Sequence, residues 1–516
     1  MIRKKLLILG AGLMQKPAIT IAKEMGLWTV VADGNADAEC APLADHFEAV
    51  DLKDREGILE YARREAVDGI LTAGTDFSAT VAYAAEKLGL PGIPYEAALN
   101  ASDKSRMRKC FAAKGVPSPQ VLFEVGAYPV GANNYSPLQG GFTAFPAVVK
   151  PVDNMGARGC RRVDTEAQLK EALADAARFS RSGRIIIEEF MPGPEYSVDA
   201  LIFDGKMIVT GLADRHIFFP PYFIEMGHTL PADFNREPRE QNTLLEVFEQ
   251  GARALGLLEK GCYGAAKGDI KFTDKGPMIG EIAARLSGGY MSGWTYPYSS
   301  GIEPSRGAIY AALGKMPPDE FFVPKRQWTS AERAFISIPG KVKAVYGKEA
   351  AEKTPFVKNI FYRISEGSSV QFPENNVQKC GNVITAAPTR EEAVKAAEDA
   401  CRTILIRLEC PNAATEEFLS LPPLPPPQAG GDVDSLTLPL SPPLAGGAGG
   451  GVFPPDAFST TVDYQGRTWD ESLDIVNRIS GIPSDNPVYQ TEEFIQAHKR
   501  GGYQGALYYL EKNGRA

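Results

Sequence analysis

Over its first hundred residues the chain alternates short apolar runs with amphipathic stretches of helical period. Lys5–Leu9, Trp28–Ala32 and Gly69–Ala73 read as buried strands, and residues 17–25 and 55–65 as helices. That order predicts a parallel sheet with helices packed on it. The run Leu6–Leu9 breaks at Gly10-Ala-Gly12 before Gln15-Lys16, so it is expected to enter a turn rather than act as a signal peptide. Nowhere do 18 or more apolar residues run together, and no membrane span is expected.

The next stretch, 102–313, is continuous globular sequence. It carries helical patterns at 104–114, 166–179 and 239–255 and strand patterns at 147–150 and 184–189. A further α/β segment, 331–409, is expected to end in an amphipathic helix over 390–407 and to have no chemistry of its own. At 411–457 the pattern changes: Leu421-Pro-Pro-Leu-Pro-Pro-Pro and Ser441-Pro-Pro-Leu-Ala-Gly-Gly have too few apolar anchors to offset ordering entropy, which predicts a linker. Aromatic residues on helical patterns follow from Phe458 to Ala516.

A chain of 516 residues exceeds one ordinary core and suggests about three or four domains. The apolar fraction of 44% and charged fraction of 23% are those of a globular protein, and a net charge of −9 gives no overall basic field for nucleic acid. Seven scattered cysteines without Cys-x-x-Cys spacing point to reduced thiols and a cytoplasmic setting. With only four histidines, any metal should be held by oxygen. The Gly10-Ala-Gly12 turn with Asp33 after the second strand is half of a dinucleotide fingerprint. Gln15 occupies the third glycine position, which disfavours an oxidoreductase.

Three further segments carry chemistry. Phe145–Gly159 is an apolar strand ending in Lys150, followed by a loop with Gly156, whose backbone N–H groups can converge on an anion that the lysine neutralises. Arg184–Asp199 is a strand through Glu188, Glu189 and Met191 that turns at Pro192-Gly193 and returns through Glu195. Its strand end can read an adenine edge, with a carboxylate accepting ribose hydroxyls. Tyr263–Gly289 is a hairpin around Thr273–Pro277; a five-residue loop there sets Asp269 opposite Glu281. Alternation then puts Lys267, Asp269, Glu281 and Arg285 on one face and Ile270, Phe272, Met278 and Ile282 on the other. Facing carboxylates repel unless a cation lies between them, and oxygen ligands without histidine favour magnesium.

In this order and spacing, the three segments resemble the ATP-grasp superfamily, and within it the carboxylate–amine ligase branch that includes L-amino acid ligases and is related to biotin carboxylase. The resemblance covers residues 1–410. It implies an α/β and α+β multidomain fold: a Rossmann-like pre-ATP-grasp domain (1–101), a two-lobed ATP-grasp domain (102–318) and a C-terminal closing domain (319–410). A Pro/Gly-rich linker (411–457) and a small helical segment (458–516) follow. It further implies that Lys104 and Lys150 bind phosphate beside Gly156, that Glu188, Glu189 and Met191 form the adenine hinge, and that Glu195 accepts the ribose. Asp269 and Glu281 match the metal carboxylates, and Arg285 matches the arginine that steadies the reacting carboxylate. Glu225-Met-Gly-His228 looks like the substrate-side segment of the amino-acid ligases, joined by Arg285 and Gly288. Lys150, Glu281 and Arg285 are the catalytic candidates. Ala283 departs from the Glu-Ile-Asn of many relatives, which leaves a second magnesium in doubt.

The implied activity is ATP-dependent, ADP-forming C–N ligation through an acyl phosphate, with ATP and Mg2+ as cofactors. Its partners are a small-molecule carboxylate and amine, with no nucleic acid and no membrane; a homodimer is left open. The alternatives are a biotin-carboxylase-like enzyme that activates bicarbonate and a non-catalytic nucleotide-binding regulatory protein.

Overall fold

The computed structural model describes residues 3–126, 142–234, 238–422, 465–483 and 485–515. Most of the segment read as a linker lies outside them. The described chain divides into two compact units. The first comprises residues 1–216, 227–332 and 384–395, and the second 217–226, 333–383 and 396–516.

The first unit begins with strands β1 (Lys5–Leu9), β2 (Trp28–Asp33), β3 (His46–Ala49) and β4 (Gly69–Thr72), which form a parallel sheet in the order β3-β2-β1-β4. Helices Lys16–Glu24 and Arg55–Glu65 flank it; the second starts at Asp54, whose side chain accepts from Gly57 N–H and satisfies an otherwise unpaired donor. The glycine turn is closed to a dinucleotide. Gln15 Oε1 accepts the Gly12 N–H at 3.1 Å and its Nε2 donates to the Ala73 carbonyl, so the amide fills the loop. Asp33, the fingerprint acid, accepts from the Ala11 N–H at 2.7 Å and the Asn35 N–H at 2.9 Å.

Next comes an antiparallel sheet in the order β5-β8-β6-β7, made of β5 (Val121–Val125), β6 (Ala147–Pro151), β7 (Arg161–Val163) and β8 (Ile185–Glu189). Helix Glu166–Phe179 covers it, burying Leu169, Ala172, Leu173 and Ala176 against Val149, Ile185 and Ile187. The larger sheet of the unit runs β13-β12-β9-β10-β11-β14-β18. Its strands are β9 (Glu195–Phe203), β10 (Lys206–Phe218), β11 (Ile224–Leu230), β12 (Tyr263–Thr273), β13 (Gly276–Ala283), β14 (Thr329–Phe335) and β18 (Gly381–Ala387). Helices Lys104–Lys114 and Pro238–Ala254 bury Met107, Phe111, Leu244 and Phe248 against Val198, Ile270, Ile279 and Ile282 on one face. On the opposite face Leu201, Phe203 and Ala265 are buried with Ala308 and Ala311, and polar residues, among them Glu195, Asp199, Lys267 and Asp269, occupy the rest.

The hairpin reaches its expected pairing by a different route. Thr273 pairs with Gly276, so the turn has two residues rather than five, and a regular ladder would set Gly280 opposite Asp269. A bulge at Gly280 adds one residue and brings Glu281 to that place instead. Below the bulge the faces exchange: Ile279 enters the core, while Met278 pairs with Lys271 and leaves the apolar face expected for it.

In the second unit β15 (Gly340–Tyr346), β17 (Ser369–Val370) and β19 (Leu405–Leu408) form a sheet in the order β17-β15-β19, and β16 (Val357–Tyr362) lies in the same unit. The helix expected over 390–407 ends at Thr403. Leu405, Ile406 and Leu408 are buried in β19 against β15, where apolar side chains gain more from the sheet than from another helical turn. Residues 413–419, at the start of the expected linker, form a short helix capped by Asn412, with Thr415 and Phe418 buried. The C-terminal helices Trp469–Ser480 and Glu492–Lys512 share a core of Val476, Phe494, Tyr503, Leu507 and Leu510.

Candidate active site

Lys104 opens a helix at which Asp103 is the N-cap, accepting from the Arg106 N–H at 3.0 Å. The cap is itself tied down by Arg184, which donates to Asp103 at 2.6 Å. The buried Lys104 ammonium donates to the Asn154 carbonyl at 2.9 Å and lies 3.4 Å from Glu281. Burial alone would lower its pKa; the charges of Glu281 and Asp76 outweigh that and raise it.

Lys150, near the end of β6, sits 2.5 Å from the buried Glu188 carboxylate, which also accepts from Arg108 Nε at 2.7 Å. Burial would raise the Glu188 pKa, but Arg108 and Lys150 hold it below the usual range. This side chain is thus committed to two cations rather than to a nucleotide edge. The remaining hinge residues are more accessible: Glu189 accepts from the Gln120 N–H at 2.9 Å, and Met191 follows at the strand end. Gly156 adopts φ +69°, a left-handed turn that glycine enters without strain, after which Ala157 continues at +59°.

Glu195, Ser197 and Asp199 on β9 face Lys271, Asp269 and Lys267 on β12, and Asp269 faces Glu281 on β13. Cations already hold these carboxylates. Asp269 pairs with Lys267 and with Arg215 at 2.9 Å, and Arg215 also reaches Glu195. The repulsion expected of the bare carboxylate pair is therefore offset within the protein. Glu281 is pulled down to about 2, since burial, which raises it, is outweighed by Lys104, Lys267, Lys150 and Arg285. Among the described residues no cluster of three or more His, Cys, Asp or Glu side chains is arranged for a metal ion; the candidate ligands are this pair.

Arg285 is buried, donates to the Leu286 carbonyl at 3.1 Å, and has no hydrogen-bond partner for Nε among the described residues. Its loop is anchored at Ser287, whose N–H donates to the buried Asp199 at 2.9 Å. Gly288 packs so close to Gly74 that an added Cβ would lie 3.3 Å from the Gly74 carbonyl oxygen. His228 is fully buried, with Nδ1 at 2.7 Å from Glu332. Glu225 belongs to the second unit, where its carbonyl accepts from Lys379 at 2.7 Å and its N–H donates to Asn376 at 2.8 Å.

Arg108 and Arg215 did not stand out in the sequence. Arg108 lies one helical turn after Lys104, a spacing that signals a shared face. Arg215 faces Glu195 across the β9–β10 ladder, a pairing set by a bulge near Thr210.

Residues 143–293 match the ATP-grasp domain model, and residues 334–409 match the model of L-amino acid ligase C-terminal domain 2. Residues 143–293 are thus similar to an ATP-grasp domain. As the resemblance implied, the chain combines α/β and α+β parts in a multidomain fold. It is 27% identical to carnosine synthase 1 of Gallus gallus over 341 residues, which are 61% of this chain and 36% of that one. It is also 27% identical to a formate-dependent phosphoribosylglycinamide formyltransferase of Nitratiruptor over 289 residues, 53% of this chain and 69% of that one. The chain thus spans only about a third of the carnosine synthase. Its fold is that of the L-amino acid ligase from Bacillus licheniformis, with a TM-score of 0.68 at 22% identity, over 79% of this chain and 99% of that one. Among the described residues, no helix is long and apolar enough to cross a membrane.

Proposed function

We propose that this protein is an ATP-dependent carboxylate–amine ligase, which forms an acyl phosphate and transfers the acyl group to an amine with release of ADP and phosphate. The observation that carries this reading is Glu281. Its carboxylate stands opposite Asp269 and 3.4 Å from Lys104, and the charges of Lys267, Lys150 and Arg285 act on it as well. So much fixed positive charge around two aligned carboxylates suits a phosphorylated nucleotide with its metal.

In this reading Lys104 and Lys150 hold the phosphates beside the Gly156 loop. Glu188 keeps Lys150 and Arg108 in place, Glu189 and Met191 border the adenine, and Glu195 meets the ribose. Asp269 and Glu281 form an all-oxygen donor set on one sheet face, which fits Mg2+ completing its shell with phosphate oxygens and water. When bound, Mg2+ supplies charge neutralisation to the transferring phosphoryl group. Arg285, with Nε uncommitted, orients the substrate carboxylate for in-line attack and offsets the charge that develops. His228 and Gly288 serve the substrates, and the names of the relatives support amino acids as those substrates. We place the reaction in the cytoplasm.

The test is a matrix of amino acids and small acids assayed pairwise for ADP and phosphate release, with hydroxylamine added to trap an acyl phosphate as hydroxamate. ADP release that requires a carboxylate is the expected result. Formation of AMP and pyrophosphate would sink the mechanism.

A further inference from the structure

Lys267 lies on the sheet face that carries Asp199, Asp269 and Glu281. The β9–β12–β13 ladder sets it between Asp199 on one side and Ala283 on the other. Its ammonium pairs with Asp269, two residues along the same strand, and its charge acts on both Glu281 and Asp199. Only 12% of the side chain is exposed, so the charge is held in place rather than left to wander in solvent.

A second divalent ion beside Glu281 would need another oxygen ligand next to it, since Asp199 lies two strands away and accepts from the Ser287 N–H. Position 283 offers a methyl group, and the residue directly opposite it is a cation. Paired metal ions in phosphoryl-transfer sites stand roughly 3.5–4 Å apart. An ammonium on the same face would repel a second ion at that spacing while offering similar stabilisation to phosphate oxygens as a compact point charge.

We propose that Lys267 takes the place of a second divalent cation: the site binds one Mg2+ through Asp269 and Glu281, and the Lys267 ammonium supplies the other positive charge facing the γ-phosphoryl group. This rests on the reading of the site as a Mg-ATP site, and the experiment separates the two claims. Mn2+ bound per chain would be counted by electron paramagnetic resonance in the presence of a non-hydrolysable ATP analogue. One ion per chain is expected for the natural protein, and two for the Lys267→Ala, Ala283→Asn double variant, which exchanges the ammonium for an oxygen ligand. Two ions on the natural protein, or one on the folded double variant, would overturn the proposal. Absence of nucleotide-dependent Mn2+ binding would instead overturn the Mg-ATP reading beneath it.

If the double variant does not fold, Lys267→Met offers a second measurement. It should weaken binding of the triphosphate analogue at least tenfold relative to ADP, because the ammonium serves the terminal phosphoryl group. An unchanged ratio of the two affinities would refute the role.

Discussion

Arg108 Nε donates to the carboxylate of Glu188 at 2.7 Å, while Lys150 approaches the same group at 2.5 Å, and neither Arg108 nor Glu188 is more than 3% exposed. Arg108 also donates to the Gly280 carbonyl at 2.6 Å, so one guanidinium ties the nucleotide-side sheet to the bulge that sets Glu281 in register. Glu188→Gln would leave two cations facing each other in the interior. Removing one partner of a buried ion pair costs roughly 3–5 kcal/mol, and a loss of that size is expected in urea denaturation. An Arg108→Met, Glu188→Gln double variant should recover part of it, because the uncompensated arginine charge is gone. A change under about 1 kcal/mol in the single variant would show that the triad does not hold the sheet.

The proposed division of labour between Lys150 and Arg285 is separable by experiment. Lys150→Ala removes a charge that contacts phosphate in the ground state and should weaken ADP binding by about tenfold or more. Arg285→Ala should leave ADP affinity within about threefold and lower turnover by roughly 100-fold, since its free Nε serves the reacting centre. Calorimetry with ADP beside steady-state rates makes the comparison. Equal loss of ADP affinity in both variants would contradict the assignment.

Much of this was legible because it depends on local period. Strand β1 and the helices Arg55–Glu65, Lys104–Lys114 and Glu166–Phe179 fall where the apolar spacing puts them. The Asp269–Glu281 pairing was also reached, but through a five-residue turn that does not exist. A two-residue turn and a one-residue bulge add up to the same offset, and the pattern of residues cannot tell them apart. What distinguishes the two is the fate of Met278 and Ile279, which exchange faces. The commitments of Glu188 to Arg108 and of Asp269 to Arg215 were hidden for another reason. Both partners are distant in sequence, and an arginine on a helix or strand looks the same whether it meets solvent or a buried carboxylate.

His498 gives the second unit a pH signature. Its ring lies 4.2 Å from that of Trp469, centroid to centroid, and burial pushes its pKa down to about 3. The unfolded chain takes up a proton near pH 6.5 that the native state refuses until about pH 3, so the unfolded state binds more protons throughout that window. Stability is therefore lost on acidification, by up to roughly 1.4 kcal/mol per pH unit from this group. His498→Phe keeps an aromatic ring and cannot titrate. Denaturant midpoints compared at pH 7 and pH 5 should fall less in this variant than in the natural protein. An equal fall would mean that His498 titrates normally in the folded state.

Asp269 and Glu281 allow the sharpest test of the metal assignment, because their behaviour without metal and with it should differ in kind. Without magnesium, Asp269 is held by Lys267 and by Arg215 at 2.9 Å, and Glu281 lies 3.4 Å from Lys104. The pair is thus not a source of repulsion waiting to be relieved. Asp269→Asn should destabilise the metal-free protein, by about 1–3 kcal/mol for the ion pairs with Lys267 and Arg215 that it gives up. Glu281→Gln should also destabilise it, since the buried Lys104 loses the carboxylate 3.4 Å away. With Mg-ATP present the larger effect passes to Glu281→Gln, because Ala283 beside it offers no replacement ligand and only Asp269 of the carboxylate pair remains. Loss of metal affinity of roughly 100-fold or more is expected when both are changed, with magnesium-dependent turnover falling in step. Denaturation without metal and ADP release across a magnesium titration measure the two halves separately. Stabilisation of the metal-free protein by Asp269→Asn would show that the surrounding cations do not offset the pair. Undiminished turnover in the Asp269→Asn, Glu281→Gln double variant would remove both residues from the metal site.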